Sequence, residues 1–312
     1  MTDYGKAIEN AVFNWERAKT EISVRTVYNA VRMAIDNDFC VHMPVYDSYD
    51  LDETERKIDP VFLEDTDGNC WIPVFTSTYE LKTGNYDNTE CLSLKELAEL
   101  SMELAEPFAG LVFNVHGKAF RMDKADYELI MEEKPESVIS YLNGSVVKMH
   151  VDAIVNAAKA SLAGGGGIDG AIHKAAGPGL AKECAALGSC NTGEAKISGA
   201  HNIKNAEHII HAVGPVYHGN SNDAVLLASC YEKSLDLALK NGCTSIAFPC
   251  ISTGIFGYPL KDATCVALRT VGAWLNKHKN VVMNVYFCCF TQNEFACYEE
   301  VTDEMHNVVS FL

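Results

Sequence analysis

Apolar residues at Ile8, Ala11, Val12, Trp15 and Ala18 follow the i, i+3, i+4, i+7 spacing that gathers one face of an α-helix. The spacing returns at Val24, Val27, Tyr28, Val31 and Ala34, with Thr20 or Ser23 placed to cap the second helix. The period then drops to two, and Phe39 to Val45 alternates like a strand. Pro60-Val-Phe-Leu-Glu and Cys70-Trp-Ile-Pro-Val-Phe flank Asp65-Thr-Asp-Gly-Asn, a hairpin with Asp67-Gly68 at its turn. Ser93-Leu-Lys-Glu96 reads as a capping box opening a helix to about Ala105. Leu111-Val-Phe-Asn-Val and Ala119-Phe-Arg pair around His116-Gly117. These segments predict an α+β unit, followed by a polar, proline-containing linker from Met131 to Ser137.

Past the linker the apolar runs shorten and end in glycine. Val151-Asp-Ala-Ile-Val-Asn-Ala-Ala is a strand ending at Asn156; Gly164-Gly-Gly-Gly-Ile-Asp-Gly-Ala-Ile-His then opens a helix from Asp169 or Gly170. Four successive glycines admit positive φ and close backbone approach, so their N–H groups can curl around an anion. The helix adds unpaired amides and the positive end of its dipole. Ser245-Ile-Ala-Phe-Pro-Cys-Ile is a second buried strand, broken by Ser252-Thr-Gly-Ile-Phe-Gly-Tyr-Pro before a helix from about Leu260. Either loop alone reads as a tight turn. The pair fits the rule that open α/β sheets bind ligands beyond their strand ends, and with Asn156 and Asp169 it points to a phosphate or diphosphate on a nucleotide-like ligand.

Five motifs in this half occur in an order that resembles the macro domain, the ADP-ribose-binding module, and most of all its MacroD-type hydrolase branch. They are Asn156-Ala-Ala, Gly164-Gly-Gly-Gly-Ile-Asp-Gly-Ala-Ile-His-Lys-Ala-Ala-Gly-Pro, Gly193-Glu-Ala-Lys-Ile-Ser-Gly, His211-Ala-Val-Gly-Pro-Val and Phe248-Pro-Cys-Ile-Ser-Thr-Gly-Ile-Phe-Gly-Tyr-Pro. The resemblance runs from about Val138 to the C-terminus. It implies an α/β fold with three α/β/α layers around a mixed sheet, and ADP-ribose or a mono-ADP-ribosylated protein as ligand. In the front half, Asp59-Pro-Val-Phe-Leu-Glu-Asp-Thr-Asp-Gly-Asn, Trp71-Ile-Pro-Val-Phe-Thr-Ser and Gly110-Leu-Val-Phe-Asn are similar to the N-terminal domain of the SseB family, over roughly residues 38–130. The chain is thus expected to divide into a smaller α+β domain over residues 1–134, its two helices within 3–37, and a macro domain over 138–312.

By that resemblance Asp169 lies near the distal ribose and orients or activates the water that attacks its anomeric carbon. A carboxylate suits a reaction that passes through an oxocarbenium-like state; capping its helix is the residue's other reading. Asn156 either hydrogen-bonds a distal-ribose hydroxyl or pins its loop. Gly165, Gly166, Gly167, Ile168, Gly170 and Ala171 would offer amides to one phosphate, and Ser252, Thr253, Gly254, Ile255 and Phe256 to the other, with the Phe256 ring against the ribose. Phe290, ending the strand Asn284-Val-Tyr-Phe-Cys-Cys-Phe, either covers adenine or closes the core. His173 reads as packing or support for its neighbours rather than as a proton donor.

Two positions depart from the family pattern. Relatives usually read Asn-Ala-Ala-Asn where this chain has Lys159 as the fourth residue, and Gly-Asp-Ile where it has Gly144-Ser-Val146. Ser145, beside Val146, can still accept from the adenine amino group, but without charge assistance, a loss of about 1 kcal/mol. Lys159 joins Asp169 and Asn156 in the candidate catalytic set with its direction open. It can face water, pair with Asp169 and blunt it, reach the ribose as a cation, or attack the opened sugar as an amine. The expected function is hydrolysis of ADP-ribose from acidic side chains or from O-acetyl-ADP-ribose. A non-catalytic ADP-ribose reader and an interaction scaffold are the alternatives.

Charge sharpens the division. The net charge is −17, yet residues 1–137 hold 13 Lys and Arg against 28 Asp and Glu, and residues 138–312 hold 12 against 14. The near-neutral rear half need not repel a diphosphate. The acidic front half has no basic stripe, which argues against nucleic acid and leaves solubility or a basic protein partner as what the acidity serves. There is no 18-residue apolar run and no basic-then-apolar N-terminus, so neither a membrane span nor a signal peptide is expected. The 12 cysteines lack a C-x-x-C pair and read as thiols of a reduced cytoplasmic protein. Cys184, Cys190, His208 and His211 lack zinc-site spacing, so no metal or cofactor is expected. In the front half His42 and His116 are isolated, and no catalytic constellation is visible.

Overall fold

The polypeptide separates into two units, Asp3–Pro135 and Glu136–Leu312; the computed structural model describes residues 3–46, 60–84, 86, 88–105, 107–132 and 134–309. Asp59, which opens the SseB-like run, and Glu133 in the linker lie outside the described residues.

In the front unit the two helix-period segments become α1 (Tyr4–Ala18) and α2 (Glu21–Asp36). Both candidate caps of α2 are used: Thr20 Oγ1 accepts from the Ser23 amide at 3.1 Å and Ser23 Oγ from the Thr20 amide at 3.0 Å. Next come β1 (Cys40–Pro44), β2 (Leu63–Glu64), β3 (Cys70–Val74), α3 (Thr78–Lys82), β4 (Thr89–Ser93), α4 (Leu94–Glu103), β5 (Phe108–Phe113), β6 (Phe120–Asp123) and α5 (Lys124–Glu132). The β2–β3 hairpin and the antiparallel β5–β6 pair form as the alternation predicts, in a four-stranded sheet ordered β2-β3-β5-β6, while β1 pairs with β4. Ile8, Val27, Val31, Leu97, Leu111, Phe113 and Tyr127 are buried in one core. Two expectations shift. Ser93 Oγ accepts from the Lys95 amide at 3.2 Å, not from residue N3 of a full box, because Ser93 is also the last ladder residue of β4, opposite Cys40. And α5 runs through Met131 and Glu132, which the linker was expected to contain.

The rear unit comprises β7 (Ile139–Asn143), a 3₁₀ turn at Val146–Lys148, β8 (Ala153–Ala157), α6 (Gly167–Ala176), α7 (Pro178–Leu187), β9 (Ala195–Gly199), β10 (His208–Ala212), α8 (Ser221–Lys240), β11 (Ser245–Pro249), α9 (Leu260–Lys277), β12 (Asn284–Cys289) and α10 (Gln292–Val309). The sheet order is β7-β12-β11-β8-β10-β9, parallel except where β9 runs against β10. Alternate residues of these apolar strands enter opposite cores. Val155, Ile210 and Phe248 pack with Leu227 and Tyr231 of α8, Val271 of α9 and Tyr298 of α10. Ile154, Ile209 and Tyr286 pack with Ile172 of α6 and Leu180 of α7. The result is a mixed sheet between two helical layers. Asp152 fixes the start of β8 against β11 by accepting from the amides of Thr244 (2.7 Å) and Ser245 (3.0 Å). The neighbours β8 and β11 lead into helices on opposite faces of the sheet, so a crevice opens where their loops part. Among the described residues no helix is long and apolar enough to cross a membrane.

Candidate active site

Backbone angles set the first loop. Gly164 (φ +76°) and Gly167 (φ +60°) lie in the left-handed region that strains other residues, and they turn the chain into α6. Gly166 has no such need: its φ is −96° and a Cβ there would meet nothing within 4 Å. Its missing side chain leaves open space rather than room for protein. At Gly170 a Cβ would stand 2.5 Å from the Gly165 carbonyl oxygen, so glycine here lets α6 pack on the loop. Gly166 caps α6 without any side-chain bond to the first turn, and the amides of Gly165, Gly166, Gly167 and Ile168 donate to no backbone carbonyl among the described residues. This is a helix N-terminus without a side-chain cap, polarised for an anion.

The second loop leaves β11 at Cys250. Ser252 is buried at φ +67°, held by the Tyr258 amide donating to its carbonyl at 3.0 Å, while Thr253 Oγ1 donates to the Cys250 carbonyl at 2.9 Å. A Cβ on Gly214 would come within 2.2 Å of Ser252 Oγ, so the glycine of His211-Ala-Val-Gly-Pro is what lets this loop close in. The amides of Gly254, Ile255 and Phe256 also lack backbone partners among the described residues.

The two loops line one cleft of about 510 Å³, a size suited to a small-molecule ligand. Of the residues singled out from sequence, Ser145, Val146, Lys159, Gly165 through Asp169, Ala171, Ser252 through Phe256 and Phe290 all line it. Phe290 is 74% exposed and so belongs to the rim, not the core. Two residues are not brought to the wall. The Gly170 amide donates to the Gly166 carbonyl (3.4 Å), and Asn156 is fully buried one layer behind Asp169.

Asn156 Nδ2 donates to Asp169 Oδ1 at 2.8 Å and lies 3.1 Å from His211 Nδ1. His173, one turn along α6, sits with Nε2 3.5 Å from Asp169 Oδ1, too long for a firm hydrogen bond. Four buried polar atoms in or behind the cleft wall have no partner among the described residues: Asn156 Oδ1, Asp169 Oδ2, His173 Nε2 and Ser252 Oγ. Orphaned atoms at such density mark a place that expects polar groups from outside the chain. Lys159 comes to the same spot. The position a Cβ would take on Gly165 is 3.0 Å from Asp169 Oδ2 and 3.3 Å from Lys159 Nζ.

Burial, with His173 adding to it, pushes the His211 imidazole down to about 4, so the ring is neutral at physiological pH. The Cys250 thiol in the wall is driven far above the ordinary thiol range by its hydrogen bond with Cys289 and by burial. It stays protonated and is not a nucleophile. Among the described residues no group of three or more His, Cys, Asp or Glu is placed to hold a metal ion.

Sequence reasoning missed Glu294 and the depth of His211. Glu294 lines the same cleft as Ser145 and Phe290. Its capping box with Thr291, bonds of 2.8 and 3.2 Å, was legible as T-x-x-E, but its place in the wall was not. His211 was visible only as a strand histidine.

Residues 155–267 match the family model described as Macro domain, and residues 10–125 match the SseB protein N-terminal domain, whose span takes in most of α1 and all of α2. Macro domain-containing protein CT2219 of Chlorobaculum tepidum is 48% identical over 168 residues, 53% of this chain and 96% of that protein. The ADP-ribose glycohydrolase MACROD2 of Xenopus laevis is 43% identical over 196 residues, 62% of this chain; the chain spans about half of that relative, 47% of its length. Among solved structures, an Oceanobacillus iheyensis macrodomain with ADP superposes with a TM-score of 0.53 at 36% identity, over 55% of this chain and 93% of the other. A Trypanosoma brucei macrodomain in complex with ADP-ribose gives 0.50 at 42%, over 53% and 68%. With the sheet order, the two glycine loops and near-complete coverage of the bacterial relative in agreement, the chain belongs to the macro domain family.

Proposed function

We propose that residues 138–312 bind ADP-ribose in this cleft and hydrolyse it from modified acidic side chains or from O-acetyl-ADP-ribose. The observation that carries this reading is one arrangement: two runs of unpaired backbone amides on a single cleft, with the orphaned Asp169 Oδ2 buried in its wall. Amides of that kind suit a diphosphate, one phosphate to each loop. Asp169 Oδ2, in the cleft wall, is an acceptor and calls for a donor, which a ribose hydroxyl or an attacking water supplies. A carboxylate beside the anomeric carbon stabilises the positive charge that develops as the bond to the leaving acyl oxygen breaks, and it can take the proton of the water that replaces it. Phe290 on the rim offers a face for adenine, and Glu294 supplies the charged acceptor for the amino group that Ser145 lacks. The relatives support the same ligand, one being named an ADP-ribose glycohydrolase and another having been solved with ADP-ribose.

The convergence of Lys159 and Asp169 over Gly165 favours a second reading, a reader that holds ADP-ribose without turning it over. Isothermal titration of the chain with ADP-ribose, beside a release assay on glutamate-modified protein, separates the two. Binding heat with release is expected; heat without release makes the protein a reader, and no heat removes the ligand assignment.

A further inference from the structure

Behind Asp169 runs a row of buried polar side chains that the hydrolysis scheme leaves without a task. Asn156 and His211 face each other across the parallel β8–β10 ladder, both fully buried. Asn156 Nδ2 lies 2.8 Å from Asp169 Oδ1 and 3.1 Å from His211 Nδ1, and His211 Nε2 lies 2.9 Å from Ser198 Oγ and 3.7 Å from Cys184 Sγ. Ser198 Oγ in turn lies 3.3 Å from the Gly199 carbonyl oxygen.

An amide nitrogen carries two hydrogens and accepts nothing, so both Asn156 contacts are donations and His211 Nδ1 must present a lone pair. The ring proton is then on Nε2 and is donated to Ser198 Oγ, whose own hydrogen goes to the Gly199 carbonyl. Each donor in the row is used in one direction, and what remains unpaired are acceptors, Asn156 Oδ1 and Asp169 Oδ2. Turning the amide over would set Asn156 Oδ1 against the Asp169 carboxylate. Charged and titratable groups face His211 from each side: Asp169 through Asn156, His173 from α6 with ring centres 6.5 Å apart, Glu183 and Cys184 from α7, and Lys196 opposite it on β9. Burial, with His173 adding to it, outweighs the Glu183 carboxylate and keeps the ring neutral, as the lone pair on Nδ1 requires.

We propose that His211 is a positioning residue for the hydrolysis: by accepting from Asn156 it fixes the direction of that amide, which holds Asp169 by one oxygen and leaves the other free for the substrate. This rests on Asp169 serving the reaction as proposed above. Nitrogen-15 NMR of the full chain reads the ring directly, without any variant and without turnover. A neutral ring protonated at Nε2 is expected; protonation at Nδ1 overturns the proposal. His211→Phe should slow release by about tenfold or more, the scale of a displaced catalytic group, while ADP-ribose affinity stays within about threefold. His211→Asn, whose amide oxygen can stand where Nδ1 stood, should recover most of the rate. Wild-type rates in His211→Phe, equal losses of rate and affinity, or a failure of His211→Asn to recover any rate overturn it. If the wild-type chain binds ADP-ribose but releases none, the hydrolase reading fails, and the tautomer still decides how the amide is held.

Discussion

Lys159 and Asp169 both reach the space beside Gly165, with Nζ and Oδ2 3.3 and 3.0 Å from one point. Of the directions the sequence left open for Lys159, this geometry favours those inside the cleft. A cation there opposes positive charge on the ribose as the scissile bond breaks. Because Lys159 is exposed, water screens most of that effect. Lys159→Asn should therefore raise the release rate only modestly, roughly fivefold, with little change in ADP-ribose affinity. Steady-state release beside titration checks this, and a borohydride-trapped ADP-ribose adduct that Lys159→Asn abolishes would instead establish amine attack. For Asp169→Ala the expected loss of rate is on the order of 100-fold, with product binding nearly kept. Equal losses in rate and binding would reduce Asp169 to a positioning group.

At the scale of elements, glycines with one letter in the sequence do different work. Gly166→Glu adds a side chain into open space and a negative charge at an anion site. The melting temperature should stay near wild type while ADP-ribose binding is lost. Gly170→Ala forces a methyl onto the Gly165 carbonyl, at 2.5 Å from backbone that cannot swing aside. It should cost about 1–3 kcal/mol of stability, seen as a lowered melting temperature, and disturb the loop only as a consequence. The reverse pattern, a melted Gly166→Glu and an unaffected Gly170→Ala, would refute this division. Helices and strands themselves were legible because period and caps are local properties: α1, α2, the β2–β3 hairpin and the start of α9 at Leu260 fall where the pattern put them. The half-formed cap at Ser93 was not, since the residue's second duty in β4 depends on a partner strand about 50 residues earlier.

At the scale of the molecule, both glycine loops, Asp169 and Phe290 belong to the rear unit. A fragment of residues 138–312 should bind ADP-ribose as the full chain does; binding by the front unit alone would displace the assignment. His211 also gives that unit a pH dependence. Its folded value of about 4 lies below the ordinary 6.5, so between these the unfolded chain binds a proton that the native ring does not. Its contribution is complete above pH 6.5, shrinks as pH falls, and is gone below about pH 4; the span is worth up to about 3 kcal/mol. Urea unfolding of the full chain between pH 7 and 4 should show this slope, and His211→Phe should flatten it. An unchanged slope in the variant would assign the dependence to other groups.

The sequence by itself determined the elements, the family pattern and the chemistry of the loops, because helical period, caps and runs of glycine act over a few residues. That Asp169, Lys159 and the amide-bearing residues would share a site was implied only by resemblance, since their convergence on one cleft depends on how β8 and β11 lie side by side. What the tertiary structure alone decided were relations between segments distant along the chain. His211 and Asn156 become partners through the β8–β10 register. Glu294 and Ser145 come to line the same cleft because β7 and β12 pair. Gly214 makes room for Ser252. Such contacts are set by packing and by the pairing of buried polar groups, both properties of the folded whole, and no local pattern of residues encodes them.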